Sequence, residues 1–285
     1  MYAITVTGLY TYPIKSCGGI SHDTVSLTAR GFQYDRQWMV VRDDERHAGM
    51  FVTQREFPKM ALIQTRIDAD CLHLSAPDMP DTAVLLKQER AADREVVIWK
   101  DTVRAVNEGD QLAAWFSAYL GAPLRLVRFD DAGNRSVSMK YTDQPSQTGF
   151  SDGYPILIAN ESSLGDLNAR LESRGKPPVL MNRFRPNIVV SGADAWAEDY
   201  WKWVTIGGIR FEIPKPCARC PITTVDQATG TIPVKGEPLA TLETFRRGSG
   251  DVSGVIFGQN VIHRGMGDVK LHETVKIKGE ENLDA

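Results

Sequence analysis

The chain has 285 residues, 42% of them hydrophobic and 24% charged, with a formal net charge of -3. That composition belongs to a folded globular protein with room for one large core or two smaller ones, and it excludes intrinsic disorder. It also excludes the strongly basic balance of a general nucleic-acid or anionic-membrane binder, so an anionic ligand must be held by a local cluster of Arg and Lys.

The stretch Met1 to Tyr10 has no basic segment followed by an apolar run, and it alternates as a strand does, so no secretory leader is expected. No segment approaches the ~20 apolar residues of a membrane helix. Four cysteines, at 17, 71, 217 and 220, make a poor disulfide framework for a chain of this length. The expectation is a cytoplasmic protein with no membrane or nucleic-acid partner.

Short β-patterned runs dominate the first hundred residues: 3–10, 24–27, 37–41, 61–67, 71–74, 84–86, 96–99 and 102–106, separated by Gly, Pro, Asp and Asn clusters. They predict a β-barrel or sandwich. Asn107 then offers a cap for a helix whose Leu112, Trp115, Phe116, Tyr119 and Leu120 follow helical spacing and which stops at Gly121. From Asp130 to Phe150 the sequence turns polar and irregular, which places a domain junction or long functional loop there. A second helix follows Asn160, with Leu164, Leu167 and Leu171 on one face. Strands return at 187–190, 203–206 and 209–213, the last two joined by the hairpin signal Gly207-Gly208, and a final strand is predicted at 269–277. The fold class is therefore mostly β with a few helices (α+β), in two β-rich parts spanning residues 1–120 and 130–278.

Chemistry is concentrated in a few clusters. Cys217-Ala218-Arg219-Cys220 places two thiols three residues apart with a guanidinium between them. Thiolates serve as soft metal ligands or nucleophiles, and a neighbouring cation favours the ionised form. A zinc site lacks its second ligand pair, since Cys17 and Cys71 stand apart and His263 and His272 are not closely spaced. A thioredoxin-like pair calls for a helix at the first cysteine, whereas here the β-branched run Ile222 to Val225 follows. Two buried structural thiols remain an alternative. Lys15, Ser16 and the Gly18-Gly19 pair form a possible anion cradle of charge and backbone N–H groups, with a solvated turn as the plain alternative. Asp35-Arg36 reads most simply as a surface ion pair of small energetic value. Arg183, Arg185 and Asn187 offer donors suited to phosphate and to heterocycle edges, or merely a basic strand edge. Ser151-Asp152 and Gln259-Asn260 lie in turn-like segments that bring polar groups to a site or only complete a turn. No dinucleotide-binding glycine fingerprint is present in the sequence.

Taken in order, these strings resemble the MOSC family, named for the C-terminal domain of molybdenum cofactor sulfurase. The resemblance is to its two-part subgroup, which includes the mitochondrial amidoxime reducing component and its bacterial relatives. The strings that carry it are Tyr12 to Cys17, Asp35 to Val40, Val52 to Arg55, Ser151-Asp152, Leu164 to Asn168, Phe184 to Val189, Cys217 to Asp226 and Phe257 to Gln259. The resemblance implies an N-terminal MOSC β-barrel domain to about residue 120 and a MOSC domain from about 130 to 278. It implies a molybdenum-molybdopterin cofactor with Cys220 as metal ligand, Arg219 as the charge that promotes its ionisation, and Cys217 in support. By position it assigns Lys15, Ser16, Arg36, Ser151, Arg185, Asn187, Ala218, Arg219 and Asn260 to cofactor binding, and Asp152 to catalysis beside the metal. The implied activity is reduction of N-hydroxylated compounds, with electrons from a separate ferredoxin-, flavodoxin- or cytochrome-type donor and its reductase. Sulfur transfer through Cys220 and simple cofactor carriage are the alternatives. Gly153-Tyr154 and Asn260 depart from the mitochondrial pattern.

Overall fold

The computed structural model describes residues 3–87 and 92–278. Its largest sheet has eight strands, with Thr5–Thr11 and Ile20–Ser21 at one edge and Lys276–Lys278 at the other. Between them lie Ile188–Ser191, Ile156–Asn160, Ile256–His263, Ile209–Ala218 and Trp203–Ile206. All neighbours are antiparallel except Ile156–Asn160 and Ile188–Ser191, which run parallel. That pair needs a crossover, and the helix α2 (Glu161–Ser173) supplies it. As the sequence indicates, Asn160 caps α2 by accepting from the Ser162 N–H, and Leu167 and Leu171 are buried beneath it.

Four strands, Trp38–Arg42, Leu124–Phe129, Asp101–Asn107 and Arg94–Ile98, form a second sheet, and Gln64–Ile67, Cys71–Ser75 and Thr82–Leu85 form a three-stranded meander. Helix α1 (Asp110–Leu120) packs Leu112, Trp115 and Phe116 into the core shared by these strands. It ends at Gly121, whose left-handed φ of 73° is the conformation that favours glycine there. The expected cap at Asn107 is corrected. The cap is Gly109, and the Asn107 carboxamide instead accepts from the Gly109 N–H.

The chain is not threaded as two separate beads. Val6, Leu9, Val25, Leu27 and Phe32 belong to the same apolar cluster as Ile188, Val204, Phe211 and Val261. Thr24–Thr28 pairs with Asp268–Lys270, binding the first thirty residues to the last described ones. The single strand predicted at 269–277 is two short ones, Asp268–Lys270 and Lys276–Lys278, separated by a turn in which His272 has a φ of 66°. Gly207 and Gly208, both at positive φ, make the predicted hairpin turn. Among the described residues no helix is long and apolar enough to cross a membrane.

Candidate active site

The strand Ile209–Ala218 continues past its buried Ile209, Phe211 and Ile213, and a bulge between Pro216 and Ala218 places Cys217 beside the strand Ile256–His263. Beyond it, Arg219 donates its backbone N–H to Val255, and Pro221–Thr224 forms one tight 3-10 turn rather than the strand its β-branched residues suggest. That turn fixes Cys220, whose carbonyl accepts from the N–H and the hydroxyl of Thr223. Arg183 anchors the far end, donating to the Thr224 carbonyl and pairing with Asp226 at 2.9 Å.

The two thiols border a cavity of about 110 Å³. The residues that the resemblance assigns to cofactor and catalysis all line it: Lys15, Ser16 and Arg36 from the first part of the chain, Ser151, Asp152, Arg185 and Asn187 from the middle, and Ala218, Arg219, Cys220 and Asn260 from the end; Gly18, Gly19, Asp35, Arg183 and Gln259 do not. Three of these, Ser16, Arg36 and Arg185, hold left-handed φ values of 69°, 45° and 54°. Such backbones are strained for residues with side chains, and they persist where the surroundings over-determine them.

The side chains divide by what they already touch. Asp35 is not a surface residue: its carboxylate is 1% exposed, accepts from the Tyr12 N–H and lies 2.6 Å from Arg36 Nη1. Arg36 also donates to the Asn187 side chain and to the Arg185 carbonyl. Asn187, expected to contact a ligand, uses its carboxamide on Arg36, the Leu157 N–H and the Tyr10 carbonyl. It holds the walls together. Asn260 donates to the Pro216 carbonyl. The anion cradle expected from Lys15, Ser16 and the Gly18-Gly19 pair does not form as read: the N–H groups of Lys15 and Gly18 donate to the Trp38 and Ile63 carbonyls, and neither glycine lines the cavity. Gly18 has no room for a side chain, since an added Cβ would lie 2.8 Å from the Ile63 carbonyl.

Lys15 is buried, and its ammonium donates to the Phe150 carbonyl at 2.8 Å and pairs with Asp152 at 2.5 Å. Burial pushes the Lys15 ammonium down, against the pull of Asp152. Burial also works to raise the Asp152 carboxyl, but that side chain is 63% exposed. The Lys15 charge and hydrogen bond, with a further bond from Trp99, hold it well below the usual carboxylate range.

Arg219 corrects a further expectation. Alternation along the extended backbone puts 217 and 219 on one side, and the guanidinium donates to Cys217 Sγ at 3.0 Å and to the Phe184 carbonyl at 2.7 Å. Its hydrogen-bonded sulfur is therefore Cys217, not Cys220.

Arg185 differs from the other cations. Its side chain is buried, it lies over the Tyr12 ring at 4.1 Å, and it has no carboxylate partner and no side-chain hydrogen bond among the described residues. Burial pushes the guanidinium down to about 10, with the like charge of Arg36 adding to the effect and Tyr12 opposing it. A buried cation without a counterion is costly, and an incoming anion relieves that cost.

Two contributors lie outside the motif strings. Trp99, at the tip of the hairpin joining Arg94–Ile98 to Asp101–Asn107, donates to Asp152 Oδ1 at 3.1 Å. Arg135 is buried, pairs with Asp101, and donates to the carbonyls of Gly149, Ser151 and Asp152, so it sets the loop that carries the carboxylate. An Arg in a polar, irregular stretch gave no signal, although the length of that stretch did mark it as functional. Cys17 lies in the core with its thiol pushed up to about 12 by burial, which removes it from the chemistry.

The model of the MOSC N-terminal beta barrel domain matches residues 3–123 and that of the MOSC domain residues 145–276. Mitochondrial amidoxime reducing component 2 of Bos taurus is 37% identical over 253 residues, covering 85% of this chain and 72% of that protein. Mitochondrial amidoxime-reducing component 1 of Homo sapiens is 33% identical over 290 residues, covering 97% and 83%. Molybdenum cofactor sulfurase of Oryza sativa subsp. japonica is 34% identical over 266 residues, which is 87% of this chain but 32% of that larger protein. The cavity's thiol pair and its unpaired arginine thus sit in a chain that belongs to the MOSC family, carrying both its N-terminal β-barrel domain and its MOSC domain.

Proposed function

We propose that this chain binds molybdenum cofactor in the cavity and reduces N-hydroxylated compounds, such as hydroxylamines, amidoximes and N-hydroxylated bases, with electrons from a separate redox protein. One observation carries the reading: Arg185 is a buried guanidinium with no ion pair or side-chain hydrogen bond among the described residues, in the same cavity as the Cys220 thiol. The donor set fits the group. A pterin phosphate provides the anion that Arg185 lacks, and a thiolate is a suitable soft ligand for molybdenum. The names of the relatives, two amidoxime reducing components and a molybdenum cofactor sulfurase, support the same assignment.

Cys220 would hold the metal and Arg185 the anionic tail, with Arg36 and Asn187 keeping the wall in place between them. When bound, the cofactor supplies the two-electron chemistry and the acceptance of oxygen. The chain supplies position and protons. Lys15 and Asp152 form a hydrogen-bonded pair at the cavity, suited to hold a proton near the substrate's departing oxygen. The overall change consumes two electrons and two protons, and it releases the amine or amidine and water.

Protein purified from a cofactor-competent host should carry about one molybdenum and one pterin per chain. It should also reduce benzamidoxime when supplied with electrons from a reduced viologen. Cys220→Ser should lose both metal and turnover with the fold intact, and Cys217→Ser should keep them. Metal-free protein from such a host, or a fully active Cys220→Ser, would sink the proposal. Sulfur transfer is the second reading, favoured by the guanidinium on Cys217 Sγ. It predicts a persulfide on the thiol pair and no benzamidoxime turnover.

A further inference from the structure

The three-stranded meander turns one face to the core and the other outward. Leu72, Leu74 and Val84 are buried, so by alternation Cys71 and His73 stand on the outer face. A thiol in that position is unusual, because free Cys is among the most buried residue types. It has company there. Asp68 begins the turn between Gln64–Ile67 and Cys71–Ser75, and its Oδ1 accepts the backbone N–H groups of Asp70 and Cys71 at 3.1 and 2.9 Å. Its other oxygen, Oδ2, lies 2.5 Å from His73 Nε2. One ligand-type atom from each of Asp68, Cys71 and His73 lies within 4.8 Å of the other two. None of the three lines the cavity described above.

From this geometry we infer that Asp68, Cys71 and His73 form a second, independent metal site, taking one divalent ion of intermediate softness of the Zn²⁺ class. The donor set selects the ion. Thiolate, imidazole and carboxylate together suit Zn²⁺ or Co²⁺, whereas Mg²⁺ and Ca²⁺ require all-oxygen shells. Two ligands two residues apart on one strand and a third fixed across a tight turn need little ordering on binding. The two backbone N–H groups on Asp68 Oδ1 fix the carboxylate with Oδ2 turned toward His73. The ion displaces the thiol proton of Cys71, which leaves to solvent, and His73 binds as neutral imidazole with its ring proton on Nδ1 and Nε2 turned to the ion. The fourth position faces outward and takes water. Arg66, 3.7 Å from Asp68 Oδ2, opposes a cation, but its side chain is 66% exposed and free to swing away.

Titration of the metal-free full chain with Co²⁺ tests the site. The expected result is about one equivalent bound with a thiolate-to-cobalt charge-transfer band, displaced by Zn²⁺. Cys71→Ser should abolish the band. Asp68→Asn and His73→Ala should each weaken Zn²⁺ by at least about tenfold, and circular dichroism should show all three variants folded. A Cys217→Ser/Cys220→Ser double variant should keep the band. No band in the wild type, or a band that survives Cys71→Ser and disappears in the double variant, overturns the inference.

Discussion

Substitution of Arg185 by Met is expected to separate stability from loading. The guanidinium is buried, and its fall from an ordinary 12.5 to about 10 corresponds to about 3 kcal/mol of unfavourable charge in the folded, cofactor-free protein. Met keeps much of the volume and removes the charge. It forfeits the contact with the Tyr12 ring at 4.1 Å, worth roughly 1–2 kcal/mol when desolvated. The net expectation is a gain of about 1–2 kcal/mol, or a rise of a few degrees in Tm for a chain of this size. The sign follows from the direction of the shift. A basic group whose folded value is depressed destabilises the fold while it is charged in both states, and the penalty fades as the pH rises through the folded value. The difference between wild type and Arg185→Met should therefore be present at pH 7 and shrink above about pH 10. Cofactor retention should move the opposite way, falling by about 10- to 100-fold with the loss of a charged hydrogen bond of roughly 1.5–3 kcal/mol. Thermal melts of the cofactor-free proteins at both pH values, with molybdenum analysis of the loaded ones, read both effects. A variant less stable by more than about 1 kcal/mol that loads normally would refute the view of Arg185 as an unsatisfied cation awaiting an anion.

Asp35→Asn should destabilise the fold by roughly 3 kcal/mol, because it leaves Arg36 without its buried partner; denaturant unfolding measures this. Asp152→Asn should lower turnover and change the acid limb of stability. A depressed carboxyl stabilises above its unfolded value of about 4 and loses that contribution as the pH falls below it, so the wild type should lose stability there and the Asn variant less so. Trp99→Phe should leave the fold intact and reduce turnover, since it keeps an aromatic ring against Phe51 and Arg55 but loses the hydrogen bond to Asp152; steady-state kinetics with an artificial donor tests it. Gly258→Ala should destabilise, because φ is 71° and a Cβ would meet the Ile158 carbonyl at 2.8 Å; a thermal melt reads the effect.

The residues that line the cavity were legible from sequence because rare strings announced them, while the partners they choose were not. Cys217, Arg219 and Cys220 are adjacent in sequence, but the extended backbone turns Arg219 to the first sulfur. Asp35-Arg36 reads as an ordinary surface pair until tertiary packing covers the carboxylate. The run Ile222 to Val225 has strand propensity, yet Pro221 starts a tight turn and Thr223 and Thr224 return their hydroxyls to carbonyls three residues back. Helix α2 was readable because cap and period agree locally. The weaving of the first thirty residues into the far sheet was not, since no local pattern reports a partner that distant.

That weaving constrains how the molecule assembles. Thr7 and Val189 meet across a sequence separation of 182 residues, on neighbouring strands of the large sheet. Closing so long a loop is entropically slow, and contacts of this kind lower folding rates. During synthesis the apolar Val6 and Leu9 must wait, unpaired, until Ile188–Ser191 has emerged from the ribosome. The segment that contributes Lys15 and Ser16 to the cavity is thus set in place late, so the cavity closes only when nearly the whole described chain has been made.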